Sequence, residues 1–177
     1  MLAIDEEKDF EYVELDREET FVETLNRFKS ANQKEYPLSK DYENILRDYQ
    51  KEGYVWLHTL KDYGFNGILA DDMGLGKTLQ IITLLDSLET KRPSLVVCPS
   101  SLIYNWEDEV HKFSKKLPVT CITGNMQTRS ELIKEIKQGL YVTSYDYMRR
   151  DFELYQGIEF EYVILDEAQY IKNQKTK

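Results

Sequence analysis

The residues with the clearest chemical potential in this sequence are Asp71-Asp72-Met73-Gly74-Leu75-Gly76-Lys77-Thr78. Glycines at 74 and 76 let a backbone turn tightly and aim successive N–H groups outward, as a row of phosphate oxygens requires. The apolar run Gly67-Ile68-Leu69-Ala70 precedes the loop and a helical period follows it. The loop is therefore expected to join a strand to a helix whose unpaired N–H groups and positive dipole end face the same anion. In that setting Lys77 reaches the β- and γ-phosphates and the Thr78 hydroxyl ligates Mg²⁺. The general pattern for such loops has Gly at position 71, where this chain has Asp. The plain alternative is a glycine turn ahead of an ordinary helix.

A metal-bound triphosphate also calls for a carboxylate. Tyr162-Val163-Ile164-Leu165-Asp166-Glu167-Ala168-Gln169 supplies an apolar strand ending in two acids, 89 residues beyond Lys77. Ligands of open α/β sheets gather at the carboxyl ends of strands, so this strand is expected to deliver Asp166 beside the loop. Asp166 would hold Mg²⁺, and Glu167 would orient the attacking water or accept its proton. An isolated Asp-Glu after a strand is commonly a solvated turn. Combined with the lysine loop, the pair makes ATP hydrolysis the leading chemistry, driven by positioning and electrostatics.

Together these segments resemble the Swi/Snf-type ATPases of helicase superfamily 2, whose loop also carries Asp at the position of Asp71. Leu46-Arg47-Asp48-Tyr49-Gln50-Lys51-Glu52-Gly53, with Trp56-Leu57 after it, looks like that family's Q motif. The resemblance implies a nucleotide-binding set of Arg47, Gln50, Asp72, Met73, Gly74, Leu75, Gly76, Lys77, Thr78 and Gln169, with Gln50 reading the adenine edge. Asp48 stands where the family usually has Pro. Pro99-Ser100-Ser101-Leu102 with Asn105-Trp106 resembles motif Ia, and Val142-Thr143-Ser144-Tyr145 resembles motif Ib; both are implied to touch a DNA backbone. Asp166 through Asn173 resembles an extended motif II whose Gln169 variant looks bacterial more than eukaryotic. The DNA-contact set is thus Ser100, Ser101, Trp106, Thr143, Ser144 and Lys172. Over residues 41–177 the resemblance implies the first RecA-like lobe of a double-stranded DNA translocase, working in a bacterial cytosol or nucleoid, or in a eukaryotic nucleus. Its implied partners are double-stranded DNA and a second RecA-like lobe in cis.

Each DNA-contact candidate has a structural reading beside the functional one. Trp106 lies on the apolar phase of its helix, which suits core packing. Ser100 or Ser101 could cap that helix, and Thr143-Ser144 could end a strand and cap a short helix. Lys112, Lys115, Lys116, Arg149, Arg150 and Lys172 suit a solvated surface as well as a backbone track. His58 and His111 show no metal or catalytic pattern, and Cys98 and Cys121 read as buried strand thiols.

The elements that must position these groups alternate along the chain. A helix is expected over Asp41 to about Asp62, a strand at Gly67–Ala70 and a helix over Lys77–Leu88. A strand at Leu95–Cys98 is entered through Pro93 and left through Pro99. The next helix carries Leu102, Trp106, Val110, Phe113 and Leu117 in phase. Strand-like runs follow at Val119–Ile122, Leu140–Thr143 and Tyr162–Leu165, with a helix at about Thr128–Lys137. Such alternation predicts the α/β class, a mostly parallel sheet covered by helices on both faces, and a RecA-like P-loop fold once the resemblance is added.

Composition bounds the rest. The chain has 177 residues, of which 41% are hydrophobic, and its formal net charge is −9. That length suits one domain with a real core. No apolar run approaches the roughly 20 residues of a membrane helix, and the N-terminus lacks the basic and apolar regions of a signal peptide. Two cysteines make neither a disulfide framework nor a four-ligand zinc site. A charge of −9 argues against a nucleic-acid partner until its distribution is seen. Residues 1–23 hold ten acids and two bases, hence −8, which leaves −1 for the remainder. Residues 1–40 therefore read as an acidic arm or the flank of an upstream domain, with Phe21, Leu25 and Phe28 spaced for a short amphipathic helix. Within the resemblance, motif III and the second lobe have no counterpart before Lys177. The strand that would separate the phosphate-loop strand from the motif II strand is likewise expected to be missing. The 177 residues alone are accordingly expected to bind nucleotide weakly and hydrolyse it negligibly. The competing readings are another superfamily 2 enzyme, such as an RNA helicase or restriction-type translocase, and a non-catalytic DNA or protein docking module.

Overall fold

A computed structural model of the chain describes residues 35–72 and 74–171, so residues 1–34 of the acidic arm with its expected helix, Met73 and Lys172 fall outside the described residues. Four strands form one sheet: β1 (Ser94–Cys98), β2 (Val119–Cys121), β3 (Leu140–Ser144) and β4 (Tyr162–Leu165). Their order is β2-β3-β1-β4, and each neighbouring pair is parallel. The helices are α1 (Lys40–Glu43), α2 (Asp48–Tyr63), α3 (Lys77–Ser87), α4 (Ile103–Phe113), α5 (Met126–Lys134) and α6 (Tyr145–Arg150).

Period-two alternation sends the side chains of each strand to opposite faces. On one face Val96, Cys98, Leu140 and Val142 pack against Ile82 and Leu85 of α3 and against Ile103, Trp106 and Val110 of α4. On the other, Leu95, Val97 and Tyr141 meet Ile122, Ile133 and Tyr155. Every residue of β1 is buried, as a strand flanked on both edges and covered on both faces must be. Each such Leu, Ile or Val contributes about 1.5–3 kcal/mol by leaving water.

One polar clasp is built into this core. Arg129 of α5 donates through Nε and Nη2 to the Asp151 carboxylate at 2.5 and 2.9 Å, and through Nη1 to the Gly124 carbonyl at 2.7 Å. Its guanidinium lies 4.4 Å from the Tyr147 ring centroid. The pair therefore ties α5 to the end of α6.

The structure corrects the sequence expectations in four places. The helix expected over Asp41–Asp62 is two helices, because Arg47 is extended (φ −75°, ψ 161°) and the Gln50 carboxamide accepts its N–H at 3.0 Å, starting α2 afresh. Gly67–Ala70 is not a strand, and Ile68 is 86% exposed. A strand needs a neighbour for its N–H and C=O groups, and the sheet ends at β4 with no described partner beyond it. The direct pairing of Gly67–Ala70 with Tyr162–Leu165, which would speak against a gap at this edge, does not occur. Neither Ser100 nor Ser101 caps α4; both sit in a short 3₁₀ turn ahead of it. The helix expected at Thr128 begins at Met126, because Asn125 is its N-cap and accepts the Thr128 N–H at 2.9 Å.

Removing one partner of a buried pair leaves a bare charge in the core. Asp151→Ala should therefore lower unfolding free energy by about 3–5 kcal/mol. Glu159→Ala, which breaks the exposed pair with Arg92, should change it by less than about 1 kcal/mol. Denaturant titration of the two variants measures both, and equal losses would contradict the assignment of the clasp to the core.

Candidate active site

The parallel strands end at one level, so the segments leaving β1, β3 and β4 emerge on the same side of the sheet. A cleft of about 290 Å³ lies there. The loop lines it with Gly74, Gly76, Lys77 and Thr78, and the end of β4 adds Asp166 and Glu167. Leu102, Asn105, Trp106 and Glu109 form its remaining wall.

Gly74 and Gly76 adopt φ values of 83° and 73°, a region that side chains disfavour. A Cβ at Gly76 would also stand 2.4 Å from the Gln50 amide nitrogen. The loop folds back on its own lysine: Lys77 Nζ donates to the carbonyls of Asp71 at 2.7 Å and Asp72 at 3.0 Å. Asp71, the departure from the general loop pattern, accepts from Gln80 Nε2 of α3 at 3.1 Å. Its carboxylate thus fastens the loop to the helix that follows.

Gln50 is buried, and its carboxamide links two elements. Oε1 accepts the Arg47 N–H, while Nε2 donates to the Leu75 carbonyl at 3.0 Å. The Tyr49 hydroxyl donates to that carbonyl at 3.1 Å. In this arrangement Gln50 braces the phosphate loop, with one amide N–H left over for another acceptor. Arg47 meets Gln50 through its backbone, its N–H donating to Gln50 Oε1 and its carbonyl accepting the Gln50 N–H at 2.9 Å, and Asp72 gives Lys77 a carbonyl.

Asp166 is hydrogen-bonded at every polar atom. Its N–H donates to Val97 O at 2.9 Å, carrying the β1–β4 ladder one residue past the strand, and its carbonyl accepts from the Tyr145 hydroxyl at 2.8 Å. Oδ2 accepts from Trp106 Nε1 at 2.9 Å and Oδ1 from the Glu167 N–H at 2.9 Å. Glu167 sits at φ 52°, the one non-glycine residue at positive φ among the described residues. That conformation costs about 1–2 kcal/mol. The Glu167 carboxylate accepts from Gln169 Nε2, and Tyr145 stacks on Tyr170 at 6.3 Å.

The structure therefore gathers the loop residues and both acids into one cleft. It does not keep all DNA-contact candidates on the surface. Trp106, Thr143 and Ser144 are 4%, 0% and 1% exposed. The Ser144 hydroxyl accepts the Tyr147 N–H as the cap of α6, and the Thr143 hydroxyl lies on the Ile122 carbonyl. Trp106, Thr143 and Ser144 thus take the packing and capping places that the sequence also allowed, while Ser100 and Ser101 are exposed. His58 is buried against Ser87 and Tyr36, as a structural histidine. Burial pushes the Cys98 and Cys121 thiols up to about 12. Cys98 is fully buried and Cys121 partly so.

Sequence reasoning missed Glu109, and named Leu102 and Asn105 in a motif without placing them in the cleft. A signal was present: positions 102, 105, 106 and 109 follow the i, i+3, i+4, i+7 spacing of one helical face. Burial, and then the neighbouring Asp166 charge, raise the Glu109 carboxyl above its ordinary value, with Lys112 opposing them.

The sequence pattern of the SNF2-related domain matches residues 49–177. An uncharacterised ATP-dependent helicase of Mycoplasma genitalium is 40% identical over 159 residues, covering 86% of this chain and 15% of that protein. The human SWI/SNF-related matrix-associated actin-dependent regulator of chromatin subfamily A member 1 is 41% identical over 140 residues, covering 75% of this chain and 13% of its own length. The solved SWI2/SNF2 ATPase core of Sulfolobus solfataricus in complex with dsDNA matches with a TM-score of 0.68 at 38% identity, over 80% of this chain and 30% of that one. The parallel sheet and its helices are thus the RecA-like fold of such cores. The chain spans less than a third of each of these three proteins.

A raised carboxyl means that the folded chain holds the Glu109 proton more tightly than the unfolded chain. Its contribution is present below the ordinary value of 4.5 and is lost as pH rises through the folded value. Glu109→Gln should then melt no lower than wild type at neutral pH, and any advantage should fade towards pH 4. Thermal midpoints at the two pH values check this, and a lower neutral midpoint for the variant would contradict it.

Proposed function

This chain belongs to the SNF2-related family, and from that premise we propose that residues 41–177 form the first RecA-like, ATP-binding lobe of a DNA-dependent ATPase. The whole protein would translocate on double-stranded DNA, hydrolysing ATP with Mg²⁺ when a second RecA-like lobe closes over the cleft. The observation that carries this reading is the convergence of Lys77 and Thr78 with Asp166 and Glu167 on one cleft, from segments 89 residues apart. Two names support it: the Mycoplasma relative is called an ATP-dependent helicase, and the Sulfolobus core was solved with dsDNA.

In this reading the triphosphate lies over Gly74–Gly76 at the start of α3, where backbone N–H groups and the helix dipole favour an anion. Lys77 leaves the carbonyls of Asp71 and Asp72 for the β- and γ-phosphate oxygens. Among the described residues no cluster of three His, Cys, Asp or Glu side chains could hold a metal. One hydroxyl and one carboxylate remain, Thr78 and Asp166, an all-oxygen set that suits an ion bound largely through phosphate and water. When bound, Mg²⁺ would be held by Thr78 and Asp166 and would neutralise phosphate charge. Glu167 orients the water or accepts its proton, and Gln169 holds that carboxylate in place. An arginine from the second lobe would supply about 10³–10⁵ in rate, which is why the lobe alone would turn over little.

The exposed hydroxyls of Ser100 and Ser101, with Lys172, would donate to DNA phosphates, which position a protein without reading sequence. Residues 1–40 would form an acidic arm or the flank of an upstream domain, joined to the lobe where Tyr36 donates to Asp62 and Pro37 accepts from Tyr54. The protein's place of work would be wherever DNA is, the nucleoid of a bacterium or the nucleus of a eukaryote.

The test uses the full-length protein. Lys77→Ala and Glu167→Gln should each lower ATP turnover by about 10²-fold or more. Double-stranded DNA should stimulate the wild type more than RNA does. Unchanged turnover in both variants would end the catalytic reading, and stronger stimulation by RNA would move the protein to the RNA-helicase branch.

A further inference from the structure

Trp106 has one polar atom, and the fold uses it in an unusual way. A buried indole N–H needs an acceptor. Here the acceptor is the Asp166 carboxylate, at 2.9 Å, and the tryptophan is 4% exposed. The bond therefore lies at the inner wall of the cleft. The two oxygens of a carboxylate share one rigid plane, so fixing Oδ2 also fixes the direction of Oδ1. Oδ1 in turn accepts the N–H of Glu167, the residue held at φ 52°. A strained residue of that kind persists only where its surroundings over-determine it. The Tyr145 hydroxyl, bonded to the Asp166 carbonyl at 2.8 Å, holds the main chain of the same turn from the other side.

We propose that Trp106 is a positioning residue whose N–H sets the orientation of the Asp166 carboxylate and, through it, the placement of Glu167. The inference rests on the reading of the cleft as a nucleotide and Mg²⁺ site. It goes beyond that reading in giving a role in the metal chemistry to an indole N–H, a donor that cannot itself ligate a cation. Each Asp166 oxygen keeps a lone pair after its present hydrogen bond. The indole leaves the carboxylate able to take a cation while barring the rotations that would turn it from the loop. Without the N–H, Asp166 samples other rotamers and Glu167 loses one of its restraints.

The experiment titrates Mg²⁺ into the full-length protein with a fluorescent ADP and reads ADP affinity. Two substitutions remove the donor: benzothienylalanine at position 106, which replaces the N–H by sulfur within the same ring outline, and Trp106→Phe. Partners that orient a metal ligand typically change metal affinity by 10–100-fold. The Mg²⁺ concentration for half-maximal binding should therefore rise about tenfold in both variants, with affinity in EDTA unchanged. In an Asp166→Asn background the same substitutions should add no further shift, because the effect passes through that carboxylate. An unchanged Mg²⁺ requirement in the benzothienyl variant, or an equal shift in the Asp166→Asn background, assigns Trp106 to packing alone and overturns the proposal. Lys77→Ala separates the two levels of inference. Loss of ADP binding there upholds the nucleotide reading whatever Trp106 does, whereas intact binding overturns both.

Discussion

β1 is hydrogen-bonded on both edges by strands that run in its own direction and start at its own level, Ser94 lying opposite Leu140 on one side and Tyr162 on the other. Most of the molecule depends on that register. It places Val97 beside both Thr143 and Leu165, so the three strands end within one residue of the same level. A slip of one residue would turn every side chain of the slipped strand to the wrong face. In β3 it would bring Tyr141 and Thr143 into the layer of Val96 and Cys98, and in β4 it would carry Asp166 out of line with Val97. The apolar alternation that makes the core is thus the same constraint that sets the level of the cleft floor.

Around this frame, polar groups are tied in cross-element pairs. Asp71 with Gln80 joins the phosphate loop to α3, and Gln50 joins the start of α2 to the same loop. The Asp86 carboxylate accepts from the hydroxyls of Tyr42 and Ser114, joining α1, α3 and the end of α4. Burial and the neighbouring Asp86 charge raise the Tyr42 hydroxyl well above its ordinary value, so it stays a donor across the physiological range. Each tie connects two elements through a polar group that must be satisfied once removed from water. Three buried atoms among the described residues keep no partner: Gln80 Oε1, Tyr155 Oη and Tyr162 Oη. Gln80 Oε1 lies where a Cβ at Gly53 would stand, so α2 and α3 approach closely at this point.

Much of this arrangement was legible in the sequence, for identifiable reasons. Leu95–Cys98 read as a strand because a buried parallel strand is a short apolar run between breakers, and Tyr162–Leu165 read as one from its apolar run, although at the sheet edge Val163 and Leu165 are half exposed. The loop read clearly because two glycines and a lysine at fixed spacing perform one local job. Gly67–Ala70 misled because its composition is equally strand-like, yet a strand exists only beside a partner, and pairing is not local information. The interruption before α2 was hidden for a similar reason. Nothing in Asn44–Arg47 forbids a helix; the Gln50 side chain captures the Arg47 N–H and begins a new one. Trp106 shows a third kind of limit. Its apolar phase correctly put it in the core, but the acceptor of its N–H lies 60 residues away in sequence, on another element. For Thr143 and Ser144 the sequence allowed both a DNA contact and a strand end capping a short helix, and the structure shows the strand end and the cap.

The lysine resting on the carbonyls of Asp71 and Asp72 changes how affinity at the loop should be understood. The ammonium is already solvated by two carbonyls of its own chain, so an arriving anion enters an exchange of contacts. What it gains from the lysine is a difference between two sets of contacts, which is smaller than either. The resident carbonyls are tethered within a few residues and act as a competitor at high effective concentration that no dialysis removes. Weak anions meet that competitor and lose, while one that offers several charged oxygens at once can displace it. A threshold against solitary anions is thereby written into the resting loop.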